Sequence, residues 1–142
     1  MGTRAEPHRE MKWQEEKSLQ TRQTIMEATI QCFIDIGYTN TTMQKICETA
    51  GLSRGAMMHH FSSRDSVIHA AVNYLHDKRI GEFENLVAKL AQRFEGVNHP
   101  TEEALSETVR VEWQYFNLPS YTAVHELTVA ARSDAALEIT LR

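Results

Sequence analysis

Cysteine is scarce in this chain. Only Cys32 and Cys47 occur among 142 residues, they form no Cys-x-x-Cys pair, and each falls on the apolar side of a predicted helix. A disulfide framework and a thiolate zinc site are therefore not expected, and two buried free thiols are. Apolar runs are short as well, and none reaches the length that crosses a bilayer as a helix. The opening stretch from Met1 to Glu10 carries charges throughout with no apolar centre, unlike a secretory signal, so a soluble cytoplasmic protein without a membrane partner is expected. Period-two alternation of apolar and polar residues is missing, which removes the sheet folds and leaves an all-α chain. Motifs of catalysis are missing too. There is no Gly-x-Ser-x-Gly, no His-x-x-x-His and no phosphate-cradling glycine loop, and adjacent His59 and His60 point about 100° apart on a helix, too far to share one metal ion. No enzyme, cofactor or metal is expected.

What is present is concentrated between Thr41 and Phe61. Thr41 and Gln44 have the spacing of a capping box, and Met43, Ile46, Cys47 and Ala50 then share one face of a short helix. Gly51 stands where that helix must stop and reverse, a position that favours positive φ. Ser53 is placed to cap a second short helix from about Arg54. Met57 and Phe61 are four apart and can bury together, leaving Arg54, Gly55, Met58, His59 and a flank of His60 outside. Two short helices joined by Ala-Gly-Leu-Ser form the ledge that enters a DNA major groove. Gly55 weakens its helix by roughly 1 kcal/mol against Ala, and on an exposed face it allows a phosphate backbone to come close.

At these residues the chain resembles the TetR family of bacterial one-component regulators. The resemblance is carried by Gly37-Tyr38, Thr41-Thr42, Ile46, Ala50-Gly51-Leu52-Ser53, Gly55-Ala56, Met58-His59-His60-Phe61 and Ser63-Arg64-Asp65, and spans roughly residues 18 to 70. It implies that Thr42 touches phosphate; Gln44 and the basic Lys45 are further DNA-binding candidates on the same helix. It also implies that Ser53, Arg54, Gly55 and His59 face the groove, and that Arg64 stands where the family has a phosphate-binding lysine. Met58 departs from the pattern: the family has tyrosine there, and a thioether cannot donate the hydrogen bond a phenol gives to phosphate.

Around this segment, residues 1 to 16 read as a flexible, mixed-charge arm, either a disordered tail or a reach toward the minor groove. The first helix is predicted from about Lys17 to Ile36, with Ile25, Met26, Thr29, Ile30, Phe33 and Ile36 as its buried stripe and Gly37 ending it; residues 17–64 then make a three-helix DNA-binding head. A long connecting helix starts at Ser62 or Ser63 and runs some thirty residues, with Val67, Ala71, Leu75, Phe83, Leu86, Leu90 and Phe94 on one face. Gly96, Asn98 and Pro100 mark a linker. Beyond it, Thr101 caps a helix whose inner stripe is Leu105, Val109, Trp113 and Phe116. Pro119 stops it, Ser120 caps the next through Val124, Leu127 and Ala131, and Ser133-Asp134 starts the last through Leu137 and Leu141.

Residues 65–142 thus form a helical regulatory body, partial by comparison with the family, whose members usually carry two more long helices. The resemblance places an inducer pocket in this body, with Trp113, Tyr115, Phe116, Tyr121 and His125 as candidate lining; plain core is the competing reading for aromatics at helical spacing. Charge divides along the chain. Residues 1–64 hold 8 Lys/Arg against 7 Asp/Glu, net +1, and residues 65–142 hold 7 against 12, net −5. With so few basic residues in the head, backbone amides at the helix starts near Thr42, Ser53 and Ser63 must add phosphate contacts. The expected function is a sequence-specific DNA-binding transcription regulator, a repressor released by a small-molecule inducer and acting as a homodimer on a double-stranded operator. The alternative is a truncated module that pairs with other subunits without holding an operator.

Overall fold

The computed structural model describes residues 6–96 and 101–142, with side chains from residue 10 onward. Among the described residues there are seven α-helices and no strand: α1 (Glu6–Ile36), α2 (Met43–Ala50), α3 (Arg54–His60), α4 (Arg64–Arg93), α5 (Glu102–Phe116), α6 (Pro119–Ala131) and α7 (Ala135–Leu141).

Helix α1 begins at Glu6 rather than near Lys17, so the arm expected over residues 1–16 is helical from Glu6; residues 1–5 lie outside the described part. From Glu10 to Gln20 every side chain is exposed. The run of Met, Lys, Gln and Glu is made of good helix formers, and the Lys17 ammonium sits 5.0 Å from the Trp13 ring centroid one turn away. Local propensity extends the helix where periodicity had no apolar stripe to detect. From Ile25 onward the helix is anchored by two faces. Ile25, Ala28 and Cys32 join Ile46, Cys47, Met57, Phe61 and Val67 in the core of the head. Ile30 and Phe33 turn to a second core with Ile68, Ala71, Val72, Leu75, Ala123, Leu127 and Leu137. Ile36, expected in the buried stripe, is exposed at the helix end. Because Val67 belongs to the first core and Ile68 to the second, α4 is shared, and a division after residue 64 falls at its first turn rather than between separate packing units.

Gly37, at φ +80°, ends α1. The capping box expected at Thr41 does not form, and the cap lies one residue further on. Thr41 is buried and its hydroxyl donates to the Gly37 carbonyl at 2.8 Å, closing the turn, so it is Thr42 that caps α2, accepting from the Lys45 N–H at 3.2 Å. At the α4 start Ser63 and Ser66 cap each other reciprocally. Helix α4 runs the predicted length, but only Val67, Ile68, Ala71, Val72 and Leu75 are buried. Phe83 is exposed, and Leu86, Leu90 and Phe94 are half-buried.

The linker begins at Gly96, φ +81°, while Asn98 and Pro100 lie outside the described residues. Thr101 caps α5 as expected, through the Ala104 N–H at 3.1 Å. Its stripe is turned the opposite way from the expectation: Leu105, Val109, Trp113 and Phe116 are exposed, and α5 buries no residue. Helical spacing identifies a shared face but not what that face meets, and among the described residues α5 leans mainly on α4. Ser120 does not cap α6. Leu118 takes the N-cap place with Pro119 first in the helix, and Ser120 is buried one position further on, bonding back to α4. Asp134 caps α7 through the Ala136 and Leu137 N–H groups.

Candidate nucleic-acid interface

The reading unit is built from α2, a tight turn and α3. Gly51 adopts φ +65°, and the Gly51 and Leu52 N–H groups bond back to the Glu48 and Cys47 carbonyls, so the last orphan acceptors of α2 are satisfied inside the reversal. Ser53 then caps α3, its hydroxyl accepting from the Ala56 N–H at 3.1 Å. Met57 is fully buried and Phe61 nearly so, against Ile25, Ile46 and Cys47. Those two residues orient α3, and the orientation leaves Arg54, Gly55, Met58 and His59 outside, as their spacing implied, with Ser53 exposed beside them.

Within this outward set, Arg54 enters none of the ion pairs formed among the described residues. A Cβ built on Gly55 would meet nothing closer than the Ser53 hydroxyl at 4.0 Å. Nothing inside the molecule requires glycine there, which is consistent with a surface approaching from outside. His60 is half-buried; burial, then the neighbouring His59 and Arg22, hold its pKa below the usual histidine value. Arg22 of α1 stacks over Phe61, 4.2 Å from the ring centroid, and donates to the His60 carbonyl, closing the end of α3. Sequence spacing carried no sign of that long-range contact.

On α2, Thr42, Gln44 and Lys45 are exposed beside the α3 face. Glu48 was not singled out in the sequence, yet its carboxylate accepts from Gln44 at 2.9 Å and from the Lys45 ammonium at 2.9 Å. Bonding to Lys45 first, then Gln44, lowers the Glu48 pKa, and the same pair raises that of Lys45. The i,i+3 and i,i+4 spacings were legible, and their effect is that an arriving phosphate competes with Glu48 for Lys45. Arg64 corrects an expectation. Its Nε donates to the Thr41 carbonyl and an Nη to the Tyr38 carbonyl, both at 2.7 Å, while the guanidinium lies 4.6 Å from the Tyr38 ring centroid. It is turned into the protein and braces the turn before α2 instead of standing free for phosphate.

The body contains a groove of about 580 Å³ between α4, α5, α6 and α7, floored by Val72, Leu75, Val124 and Leu127, with Arg79 and Tyr115 on its wall. Of the aromatic and polar candidates only Tyr115 lines it. Trp113, Phe116 and His125 are exposed, and Tyr121 is half-buried with its ring 5.1 Å from that of Phe116. The exposure of Trp113 and Phe116 follows from the outward face of α5, while Tyr121 and His125 lie on α6.

Residues 25–71 match the sequence profile of the bacterial regulatory proteins of the tetR family. The HTH-type transcriptional repressor AcnR of Corynebacterium diphtheriae is 44% identical over 46 residues, covering 32% of this chain and 24% of that protein. The HTH-type transcriptional regulator TtgR of Pseudomonas putida is 36% identical over 62 residues, 44% of this chain and 30% of the other. Both matches therefore take in less than a third of the curated relatives' length. A putative TetR-family transcriptional regulator from Rhodococcus sp. superposes with a TM-score of 0.59 at 22% identity over 86% of this chain and 62% of its own. The multidrug binding protein EbrR, solved with imidazole, gives 0.57 at 20% identity over 84% and 64%. At such identities these structures establish the shared helical fold. Residues 25–71 thus carry the sequence pattern of the tetR-family regulators, and the helices around them share the fold of those structures.

Proposed function

We propose that this chain is a sequence-specific DNA-binding transcription regulator that reads a double-stranded operator with α3. The observation that carries the reading is the exposed set Ser53, Arg54, Gly55, Met58 and His59 on a helix fixed from behind by Met57 and Phe61. Such a helix can enter the major groove, with Thr42, Gln44 and Lys45 of α2 over the adjacent backbone. The names of the matched relatives, a repressor and a regulator, support the same reading.

In the finer form of the proposal the chain is a repressor, two copies bind a pseudo-palindrome, and a small molecule in the groove beside Arg79 and Tyr115 releases the operator. One helix-turn-helix buries too little surface to hold an operator tightly alone, which favours two copies. A gel shift against genomic fragments at stated salt is the test. Retention of particular fragments above the bulk supports the proposal, and weak retardation of all fragments alike overturns it.

A second reading is an interaction module that pairs with other subunits without holding an operator. It is favoured by the outward apolar stripe of Leu105, Val109, Trp113 and Phe116 on α5. Sedimentation of the chain alone and with DNA separates the two.

A further inference from the structure

Apolar packing of Ile30 and Phe33 on Ala123, Leu127 and Leu137 joins body and head, and the hydrogen bonds across that joint converge on one residue. Among the described residues, two hydrogen bonds cross from α6 or α7 to α1–α3 and the turns joining them, and both end on Tyr38. Its backbone N–H donates to Glu126 Oε1 of α6 at 2.8 Å, and its phenol donates to Asp134 Oδ2 at the start of α7 at 2.7 Å. Tyr38 is nearly fully buried, its ring 6.2 Å from that of Phe33. On the head side, its carbonyl accepts from Arg64, which also holds the Thr41 carbonyl, and the next residue, Thr42, caps α2. A chain of short bonds therefore runs from body carboxylates to the first turn of the reading unit.

We propose that Glu126 and Asp134 are positioning residues for α2 and α3, acting through Tyr38 and the Arg64 bracket, so that the body sets where the reading helices lie. The proposal deepens the DNA-binding reading and rests on it for its consequence, but the coupling itself is a property of the free protein. Neither carboxylate is on the outward face of α2 or α3. Asp134 serves two ends at once, its Oδ1 capping α7 and its Oδ2 holding Tyr38, so a shift of α7 is felt at the phenol.

The test uses Tyr38→Phe, which keeps the ring under Arg64, and Asp134→Ser, which keeps an N-cap hydroxyl but is too short to reach Tyr38. Amide exchange of the free proteins is followed at Ile46–Ala50 in α2 and at Ala71–Leu75 in α4. Each variant should raise exchange in α2 about threefold to tenfold, the scale of one hydrogen bond, with α4 unchanged, and the double variant should add nothing further. An equal rise in both helices means a general loss of stability and overturns the proposal, as does wild-type exchange in α2 or multiplying effects in the double variant. In a second arm, a duplex selected from a random library by the wild-type chain is titrated beside a scrambled one, and both variants should weaken the selected duplex alone. If the wild type selects no duplex, the DNA-binding reading falls while the exchange result still decides the coupling.

Discussion

The guanidinium carbon of Arg79 lies 3.7 Å from the centroid of the Tyr115 ring. The same side chain donates to the Tyr115 carbonyl at 3.3 Å and to the Ser120 hydroxyl at 3.2 Å, and stands 3.8 Å from the Glu82 carboxylate. With only 11% of its side chain exposed, this one residue of α4 ties the end of α5 to the start of α6. Arg79→Met removes the stacking and both hydrogen bonds, so a loss of about 1–3 kcal/mol in urea unfolding is expected. Arg79→Lys should recover little of it, because an ammonium keeps the charge but not the planar fork. Full recovery by lysine would mean that charge alone holds the joint.

On the reading face, Arg54→Ala and Thr42→Ala should both weaken operator binding, and differently. If Arg54 reaches a base edge, its loss costs about 1–3 kcal/mol and relaxes specificity at one position. Thr42 also caps α2, so its replacement by Ala should lower stability by about 1 kcal/mol as well as weakening all sequences alike, while Thr42→Ser keeps the capping oxygen and should restore the stability. Titrations at fixed salt combined with urea melts separate the two contributions. Unchanged affinity in either alanine variant contradicts its assignment.

Met58 is exposed and its thioether cannot donate to phosphate. Met58→Tyr should tighten binding by about threefold to tenfold, one regained hydrogen bond, on operator and scrambled duplex alike. Weaker binding to the operator only would show that Met58 reads a base.

Acidification should loosen the head through His60. Burial, His59 and Arg22 depress its pKa in the folded chain below 6.5, so the unfolded chain binds the proton more readily. The associated stability is complete above the unfolded value and declines as pH falls below about 6.5 toward the folded value. Thermal melts from pH 7.5 to 5 should show the decline, and His60→Gln should flatten it. A slope identical in the variant assigns the effect to other groups.

The head was legible in the sequence because its signals are local. A glycine at positive φ, a serine cap and two apolar residues four apart are each decided within a few positions, and Gly51, Ser53, Met57 and Phe61 took the expected places. Distance defeated the rest. Which of two adjacent threonines caps α2 depends on Thr41 reaching back to Gly37, and the inward turn of Arg64 depends on carbonyls twenty-three and twenty-six residues away. Tyr38 was noted only as part of a family pattern, since its partners Glu126 and Asp134 lie 88 and 96 residues further along the chain. For α5 the spacing was right and the direction reversed, because a stripe says that side chains agree with one another and is silent about their neighbours.

The outward direction of the α5 stripe reaches into the optics of the protein. The chain holds two tryptophans, Trp13 at 58% exposure on α1 and Trp113 at 70% on α5, and neither touches a core. Emission of the folded chain should already be red, as from indoles in water, so melting of the interior should leave the spectrum almost unmoved. A blue shift would instead announce that something has settled over one of these two helices, which makes native fluorescence a poor thermometer for this molecule and a sensitive proximity signal for whatever covers it.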